Sequence, residues 1–220
     1  MKYLTIAVNE VPFPSTSDAA VNQELAHRRF LYTKPRWCQA VRLGMKHDYP
    51  DGQLFRDSAK ELGGSKHLPF LHEIIDWVHD NTESEWIGLM NSDTLVTPRL
   101  FKRLQEMPKT TNAVLVAVAD INDLDETYGQ HRRRDWHSYD MVLFDRKLWK
   151  KIREDIPDCI LGANSWDGAY FWWLVMRHGV NLTILRNQEC LHLAHKADWR
   201  ENKNEPPNLY NDRIFRELEL

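Results

Sequence analysis

The chain has 220 residues, of which 42% are hydrophobic and 28% are charged, and its formal net charge is −3 at pH 7. These values are typical of a globular domain, and no apolar stretch approaches the ~20 residues that a membrane-spanning helix needs. The slightly acidic balance excludes a general attraction to nucleic acids or anionic membranes, so any such partner would need a local basic patch.

The N-terminus and the cysteines bear on the cellular compartment. The first residues carry a single charge and a very short apolar run, so they do not have the pattern of a secretory signal. Cys38, Cys159 and Cys190 are widely spaced and form no CxxC pair, which argues against a disulfide framework and a zinc ribbon. We therefore expect a cytoplasmic protein, and the chain length suits one domain.

The first part of the chain predicts one strand followed by helices. Residues 3–8 are apolar and rich in β-formers, which predicts a strand that ends at Asn9 and Glu10. Beyond this strand, possible caps at residues 15–18 predict a helix over residues 19–30. Apolar residues recur at helical spacing in two further segments, residues 53–62 and 68–79. The segment 32–43 has a mixed composition and carries no clear pattern.

The centre of the chain alternates buried strands with helices. The apolar run Trp86–Met90 contains one glycine and ends in the polar triplet 91–93, which has no place in a core. Residues 112–119 are too uniformly apolar for an exposed sheet, so they predict a central strand. A helix predicted at residues 98–107 separates the two strands. These βα units predict an α/β domain.

The second half continues with shorter elements. Strands are predicted at residues 139–144 and 182–185, and helices at residues 146–152 and 166–177. The polar stretch 120–138 includes the run Arg132, Arg133 and Arg134, which is either a solvated loop or a loop that binds phosphate or an acceptor. A charged helix is predicted at the end of the chain.

Asp93 is the first candidate site residue. Ligands of open α/β sheets bind in the crevice outside the carboxyl ends of the parallel strands, where Asp93 is expected. The alternative is that the triplet 91–93 forms a turn or caps the next helix. Other carboxylates and imidazoles are expected at strand ends or helix starts, namely Asp140, Asp167, His192 and His195. Oxygen ligands with one imidazole suit Mg²⁺ or Mn²⁺, which usually bind substrate phosphates.

Taken in order, these segments resemble the family-2-like glycosyltransferases of the GT-A fold, which transfer a sugar from a nucleotide-diphosphate donor. The segment Ile87-Gly-Leu-Met-Asn-Ser-Asp93 is similar to the family's strand that ends in an Asp-x-Asp-like motif. The segment Ser138-Tyr-Asp-Met-Val-Leu-Phe144 is similar to the family's acceptor-side strand. The catalytic-base segment is similar to Leu161-Gly-Ala-Asn-Ser-Trp-Asp167, and the late metal-binding histidine to Cys190-Leu-His-Leu-Ala-His195. No single one of these four motifs is specific for the family, so the resemblance rests on their order along the chain.

The resemblance implies a fold and a domain organisation. It implies a GT-A-like three-layer αβα sandwich with a mainly parallel central sheet. Residues 1–199 would form a single catalytic domain. Residues 200–220 would form a C-terminal extension that is helical at its end.

The same resemblance implies a metal site and a general base. Asp93 would coordinate Mn²⁺ or Mg²⁺ bridging the donor diphosphate, with His192 or His195 as the second protein ligand and His192 preferred. Asn91 stands at the first acidic position of the family motif and is a weaker ligand. Asp167 is the candidate base, because the acceptor hydroxyl must lose its proton and a helix start favours an ionised carboxylate. Its alternative role is to cap that helix.

Donor and acceptor residues also follow from the resemblance. The donor, linked to UDP or GDP, would contact Asn9, Glu10, Arg56, Asp57, Asn91, Ser92 and Asp93. The acceptor would contact Asp140, Trp166, Arg132, Arg133 and Arg134. Trp166 would stack on a sugar or pack in the core. The arginines would suit an anionic acceptor such as a nucleic acid, and a glycan or small molecule is equally open.

The predicted activity is metal-assisted sugar transfer to an acceptor hydroxyl, of the hexosyltransferase type. Inversion is expected because a single base and direct displacement suffice. The alternative is a non-catalytic module that binds a nucleotide sugar, or a subunit of a larger assembly with the same fold. Asn91 and the short chain favour this alternative, and the downstream set of Asp167 and the histidines disfavours it. A nucleotidyltransferase normally needs a glycine-rich basic loop after the first strand, and residues 9–17 contain no Gly, Lys or Arg.

Overall fold

The computed structural model describes residues 3–10, 17–44, 62–64, 68–121, 132–133, 139–193 and 203–218. Its strands are β1 (Leu4–Glu10), β2 (Cys38–Gly44), β3 (Trp86–Met90), β4 (Thr94–Val96), β5 (Ala113–Ile121), β6 (Arg132–Arg133), β7 (Tyr139–Asp145) and β8 (Leu182–Leu193). Its helices are α1 (Asp18–Thr33), α2 (Leu71–Asn81), α3 (Pro98–Glu106), α4 (Arg146–Ile152), α5 (Trp166–Met176) and α6 (Pro206–Leu218). Among these described residues, no helix is long and apolar enough to cross a membrane.

The strands form one sheet in the order β2-β1-β3-β7-β5-β8-β4, with β6 paired to β5. The pairs β1–β2, β1–β3 and β5–β8 are parallel, and the antiparallel β7 links β3 to β5. Strands β1, β2, β3, β5 and β8 therefore run in the same direction, so the predicted α/β class with a mainly parallel core is confirmed. Because β7 runs the other way, its first residues lie at the edge where β3 and β5 end.

Helices cover both faces of this sheet. On one face, α2, α4 and α5 contribute Ile74, Trp149 and Tyr170 to a core that includes Leu115 of β5. On the other face, α1 and α3 pack around the side chains that point the opposite way, such as Val114. A strand buried on both faces has no polar side to show, which explains the uniformly apolar sequence of β5.

Gly88 is the one glycine of β3 and allows β3 and β7 to approach closely. A Cβ atom at this position would lie 2.2 Å from the carbonyl oxygen of Val142 and 2.6 Å from Cδ2 of Leu143. Either contact would force the two strands apart. The glycine is therefore required by packing between two central strands rather than by a turn.

Strand β8 is longer than the sequence predicts. It pairs with β5 up to Leu185, bulges over residues 186–189, and resumes pairing at Cys190, opposite Val118. Gln188, inside the bulge, has a φ of 63°, a conformation that non-glycine residues adopt rarely. The bulge allows the strand to continue to Leu193, and this continuation delivers His192 to the edge of the sheet.

The C-terminal helix α6 packs against the domain. The side-chain amide of Asn211 donates to the carbonyl oxygen of Ile160 at 2.8 Å and accepts from its N–H at 2.9 Å. The ring of Phe215 lies against Gly168 of α5, where a Cβ atom would come within 2.8 Å of Cε2. The division of the chain at residue 199 stays a prediction. The helix predicted at residues 53–62 falls almost wholly outside the described ranges.

Candidate active site

Strand β7 brings Asp140 to the carboxyl edge of the sheet. Met90, the last residue of β3, is paired with Met141 of β7, and the N–H of Asn91 donates to the carbonyl oxygen of Asp140 at 2.8 Å. Asp140 is only 5% exposed. The polar triplet that follows β3 and the start of β7 thus form one edge, although 47 residues of sequence separate Asp93 from Asp140.

Strand β4 places Asp93 beside His192. Thr94, the first residue of β4, is paired with His192 of β8, so Asp93 lies directly before the paired segment. The Nε2 atom of His192 is 3.0 Å from Oδ2 of Asp93. His192 is thus the histidine that the structure describes at Asp93, and the other candidate, His195, lies outside the described residues.

Asp93, Asp140 and His192 form a group that could hold a metal ion. Each offers one ligand atom, and these atoms all lie within 4.8 Å of one another. Asp140 and His192 are more than nine-tenths buried, whereas the side chain of Asp93 is 23% exposed. Two carboxylate oxygens and one imidazole nitrogen are suitable ligands for Mn²⁺ or Mg²⁺, so the residues present fit the predicted ion.

A fourth side chain, Asp120, meets His192 from the other side. Its Oδ1 lies 2.9 Å from Nδ1 of His192. Burial lowers the pKa of His192, but the hydrogen bonds with Asp120 and Asp93 and the charges of Asp93 and Asp140 raise it to about 9. At neutral pH and without a cation, the imidazole is therefore protonated and bridges two carboxylates.

Asp167 lies in the first turn of α5, close to the same edge. Its Oδ2 accepts a hydrogen bond of 2.8 Å from the N–H of Tyr139, the residue before Asp140. Burial raises the pKa of Asp167 to about 7, the N–H of Tyr139 opposes this shift, and the charge of Asp140 adds to it. The backbone N–H of Gly168 also lowers the pKa of this carboxylate. Ser165, and not Asp167, occupies the N-cap position of α5.

The predicted donor residues lie at the ends of β1 and β3. Asn9 is 3% exposed, and among the described residues its side-chain oxygen has no hydrogen-bond partner. Val8 is paired with Met90, which brings Asn9 next to the triplet with Asn91 and the buried Ser92. A buried acceptor oxygen without a partner is costly unless a ligand meets it. The side chain of Glu10, and Arg56 and Asp57 altogether, lie outside what the structure describes.

The structure describes the predicted acceptor residues only in part. Trp166 is 4% exposed and belongs to the core, where its ring lies 6.3 Å from that of Tyr170 in an edge-on contact. This burial favours the second alternative for Trp166, packing in the core, over stacking on a sugar. Arg132 and Arg133 form β6, opposite Asp120 and Ala119 of β5. Their side chains, and Arg134 altogether, lie outside the described residues.

Sequence reasoning missed one of the side chains at this edge, Asp120, and placed another, Asp140, on the acceptor side. Asp120 follows a strongly apolar strand, which is the same sequence signal that indicates Asp93. Asp140 was expected on the acceptor side, and it lies in the group with Asp93 and His192. Its position depends on the reversed direction of β7, which the sequence of that strand does not reveal.

No family model and no curated protein matches the chain. Solved structures do resemble it. TarS from S. aureus in complex with UDP-GlcNAc superposes with a TM-score of 0.53 at 10% identity, covering 98% of this chain and 71% of that one. The mannosyltransferase PcManGT from Pyrobaculum calidifontis, in complex with GDP-Man and Mn²⁺, superposes with a TM-score of 0.56 at 11% identity, covering 91% of this chain and 59% of that one. The chain has a GT-A-like glycosyltransferase fold.

Proposed function

We propose that this chain is a glycosyltransferase that uses a UDP- or GDP-linked sugar as donor and Mn²⁺ or Mg²⁺ as cofactor. The observation that carries the proposal is the convergence of Asp93, Asp140 and His192 at the carboxyl edge of a GT-A-like sheet. The TarS complex holds UDP-GlcNAc and the mannosyltransferase complex holds GDP-Man with Mn²⁺, which supports this class of donor and cofactor.

Asp93, Asp140 and His192 would hold the cation. When bound, it offsets the negative charge that develops on the leaving nucleotide diphosphate. Asp140 and His192 are buried, so Asp93 is the member of the group that faces solvent. We place the donor diphosphate on the Asp93 side for this reason.

The nucleoside would lie along the ends of β1 and β3. The side-chain oxygen of Asn9, which has no hydrogen-bond partner among the described residues, could accept a hydrogen bond from an N–H of the base or a ribose hydroxyl. Asn91 and Ser92 flank the same edge. Glu10, Arg56 and Asp57 remain proposed donor residues on the strength of the sequence resemblance.

Asp167 would act as the general base. The acceptor hydroxyl gives its proton to the carboxylate as its oxygen bonds the sugar carbon, and the bond from that carbon to the diphosphate breaks. A base is most effective when its pKa lies near the working pH, and burial raises that of Asp167 to about 7. The N–H of Tyr139 holds the carboxylate next to Asp140. One base and one displacement would invert the sugar carbon.

The acceptor is a hydroxyl compound whose class the arginines would help to define. Arg132 and Arg133 pair with the last part of β5, at the edge that carries Asp120. Cationic side chains at this position suit an anionic acceptor. Replacing Arg132, Arg133 and Arg134 by Ala without any loss of acceptor use would contradict this idea. The three buried thiols, Cys38, Cys159 and Cys190, support a reducing cytoplasm as the location.

Calorimetric titration with UDP and GDP, with and without Mn²⁺, tests the proposal. We expect Mn²⁺-dependent binding of one nucleotide, lost in Asp93→Ala and kept in Asp80→Ala. Asp80 is an exposed carboxylate of α2, 62% exposed, so this control removes the same charge outside the site. Absence of binding by the wild-type protein contradicts the proposal. Binding without turnover of any UDP- or GDP-linked sugar would favour the non-catalytic module.

A further inference from the structure

We infer that Asp120 is a positioning residue, which fixes the imidazole of His192 so that Nε2 faces the metal ion. This assignment rests on the proposed function and extends it to a side chain outside the group of Asp93, Asp140 and His192. Asp120 would act through His192 and would not bind the ion itself.

The sheet fixes the distance between Asp120 and His192. Strands β5 and β8 are parallel here, and Asp120 is the register partner of His192. The flanking pairs, Ala119 with Leu191 and Ile121 with Leu193, hold the backbone on both sides. The contact between the two side chains is therefore imposed by the central sheet and not by a loop.

The two ring nitrogens of His192 face different carboxylates. Nδ1 lies 2.9 Å from Oδ1 of Asp120, and Nε2 lies 3.0 Å from Oδ2 of Asp93. Because the nitrogens are on opposite edges of the imidazole, Asp120 is on the far side of the ring from Asp93. Asp120 is accordingly absent from the group of ligand atoms within 4.8 Å of one another.

This arrangement determines which nitrogen can bind a cation. A carboxylate at Nδ1 keeps the proton on that nitrogen, so the lone pair of Nε2 points at Asp93 and Asp140. A carboxylate that accepts from the other nitrogen of a metal-bound histidine also raises its basicity, and loss of such a partner typically costs ~10–100-fold in metal affinity. Without Asp120, the ring could rotate or carry its proton on the wrong nitrogen.

The test is a titration with Mn²⁺ alone, followed by electron paramagnetic resonance, at constant pH. We expect Asp120→Ala to weaken Mn²⁺ binding by ~10–100-fold at unchanged stoichiometry, and Asp120→Asn to weaken it less because its amide oxygen still accepts. Asp80→Ala is the matched control, since Oδ1 of Asp80 lies 2.7 Å from Nδ1 of His79, an Asp–His pair outside the cluster. That variant should bind like wild type.

A double-mutant cycle separates positioning from simple loss of charge. If Asp120 acts through the imidazole, Asp120→Ala has little further effect in a His192→Ala background. If it acts as one more negative charge, the loss persists in that background, and the inference is overturned. Should Asp120→Ala fail to fold, Asp120→Asn is compared with Asp80→Ala, and equal affinities overturn the inference.

The metal part of the proposed function can fail separately. If Asp93→Ala removes Mn²⁺ binding and Asp120→Ala leaves it unchanged, the metal site stands and the role of Asp120 is refuted. If the wild-type protein does not bind Mn²⁺, both the metal site and the role of Asp120 are refuted.

Discussion

Within the described part of the chain, two clusters that combine acidic residues with a histidine can be compared, and they differ in what surrounds the carboxylates. The edge cluster consists of Asp93, Asp120, Asp140 and His192. The pocket cluster consists of His72, Asp76, Arg153 and Asp158, which line a cavity of about 600 Å³ between α2 and the segment after α4. Both contain carboxylates beside an imidazole, yet of the two only the edge cluster has three ligand atoms, from Asp93, Asp140 and His192, within 4.8 Å of one another.

In the pocket cluster, the carboxylates are bound by structural donors. Oδ1 of Asp158 accepts from the N–H of His72 in the first turn of α2, at 3.1 Å. Oδ1 of Asp76 accepts from the indole N–H of Trp149 at 2.8 Å and lies 3.5 Å from Nη1 of Arg153. These contacts hold α2 against its neighbours and offset the negative charge.

In the edge cluster, carboxylates face one another across a single imidazole. Three of them surround His192, which can carry at most one positive charge. A bound cation would offset the negative charge that these carboxylates bring to a largely buried edge. A pattern of acidic residues and histidine therefore does not identify a metal site by itself, and the donors around each carboxylate have to be known.

The largest effect is expected at Asp167, and Asp158, whose Oδ1 accepts from the N–H of His72 in the first turn of α2, provides the comparison. Asp167→Asn should reduce sugar transfer by about 10²–10⁴-fold with donor affinity retained, because the amide cannot accept the proton. Asp158→Asn, the equivalent change at α2, should leave turnover unchanged. Steady-state rates and nucleotide titrations of both variants measure this. Equal turnover in Asp167→Asn and wild type would remove Asp167 as the base.

The next largest effect separates the two histidines. His192→Ala should weaken Mn²⁺ binding by at least about 100-fold, since a ligand loss exceeds the ~10–100-fold typical of an outer partner. His72→Ala should leave it unchanged, because the carboxylate beside His72 is bound by backbone. Titration with Mn²⁺ compares the variants. Similar losses in both would mean that the two clusters do not differ in the way described.

In the wild-type protein, the Mn²⁺ affinity of the edge cluster should depend on pH. Below a His192 pKa of about 9, the imidazole between Asp93, Asp120 and Asp140 is protonated, and Mn²⁺ must displace that proton. Affinity should thus rise about tenfold per pH unit between pH 6 and 8 for one proton released. The stabilising contribution of protonated His192 is fully present below its unfolded pKa of 6.5 and is lost as the pH rises through about 9. An affinity independent of pH would contradict this protonation.

The smallest expected effect is structural and falls on the pocket cluster. Asp158→Ala removes the acceptor at the start of α2 and should lower the free energy of unfolding by about 0.5–2 kcal/mol. Urea unfolding followed by circular dichroism measures this change. Mn²⁺ affinity should stay at the wild-type value. A change in metal binding would show that the pocket cluster is coupled to the edge cluster.

The long apolar segments made most of the fold predictable. Apolar runs and helical spacing in the sequence are enough to predict strands β3, β5 and β7 and helices α2 and α3. Strand β2 is not predictable in this way, because Gln39 and Arg42 interrupt its apolar pattern. Strand β4, with three residues, is too short to show any period. A polar bulge interrupts β8, so the sequence does not show that the segments before and after it form one strand. The pairing of both segments with β5 shows this.

The site was predictable residue by residue but not as an arrangement. Asp93 and Asp167 could be selected because each follows or starts a recognisable element. The proximity of Asp140 to Asp93 depends on the direction of β7, and that of Asp120 to His192 depends on register across the bulge. Direction and register are properties of strand pairs, so a single segment does not contain them.

The position of β8 between β5 and β4 has a consequence for how the protein is assembled. His192 is 99 residues from Asp93 and 72 from Asp120 along the chain, so the edge cluster is incomplete until β8 has paired. During synthesis, the chain must therefore leave the ribosome beyond residue 193 before the cluster can hold a cation. A free ion at 100 times its Kd would then stabilise the completed sheet by about 2.7 kcal/mol. The metal ion would thus stabilise only chains in which β8 has already paired with β5.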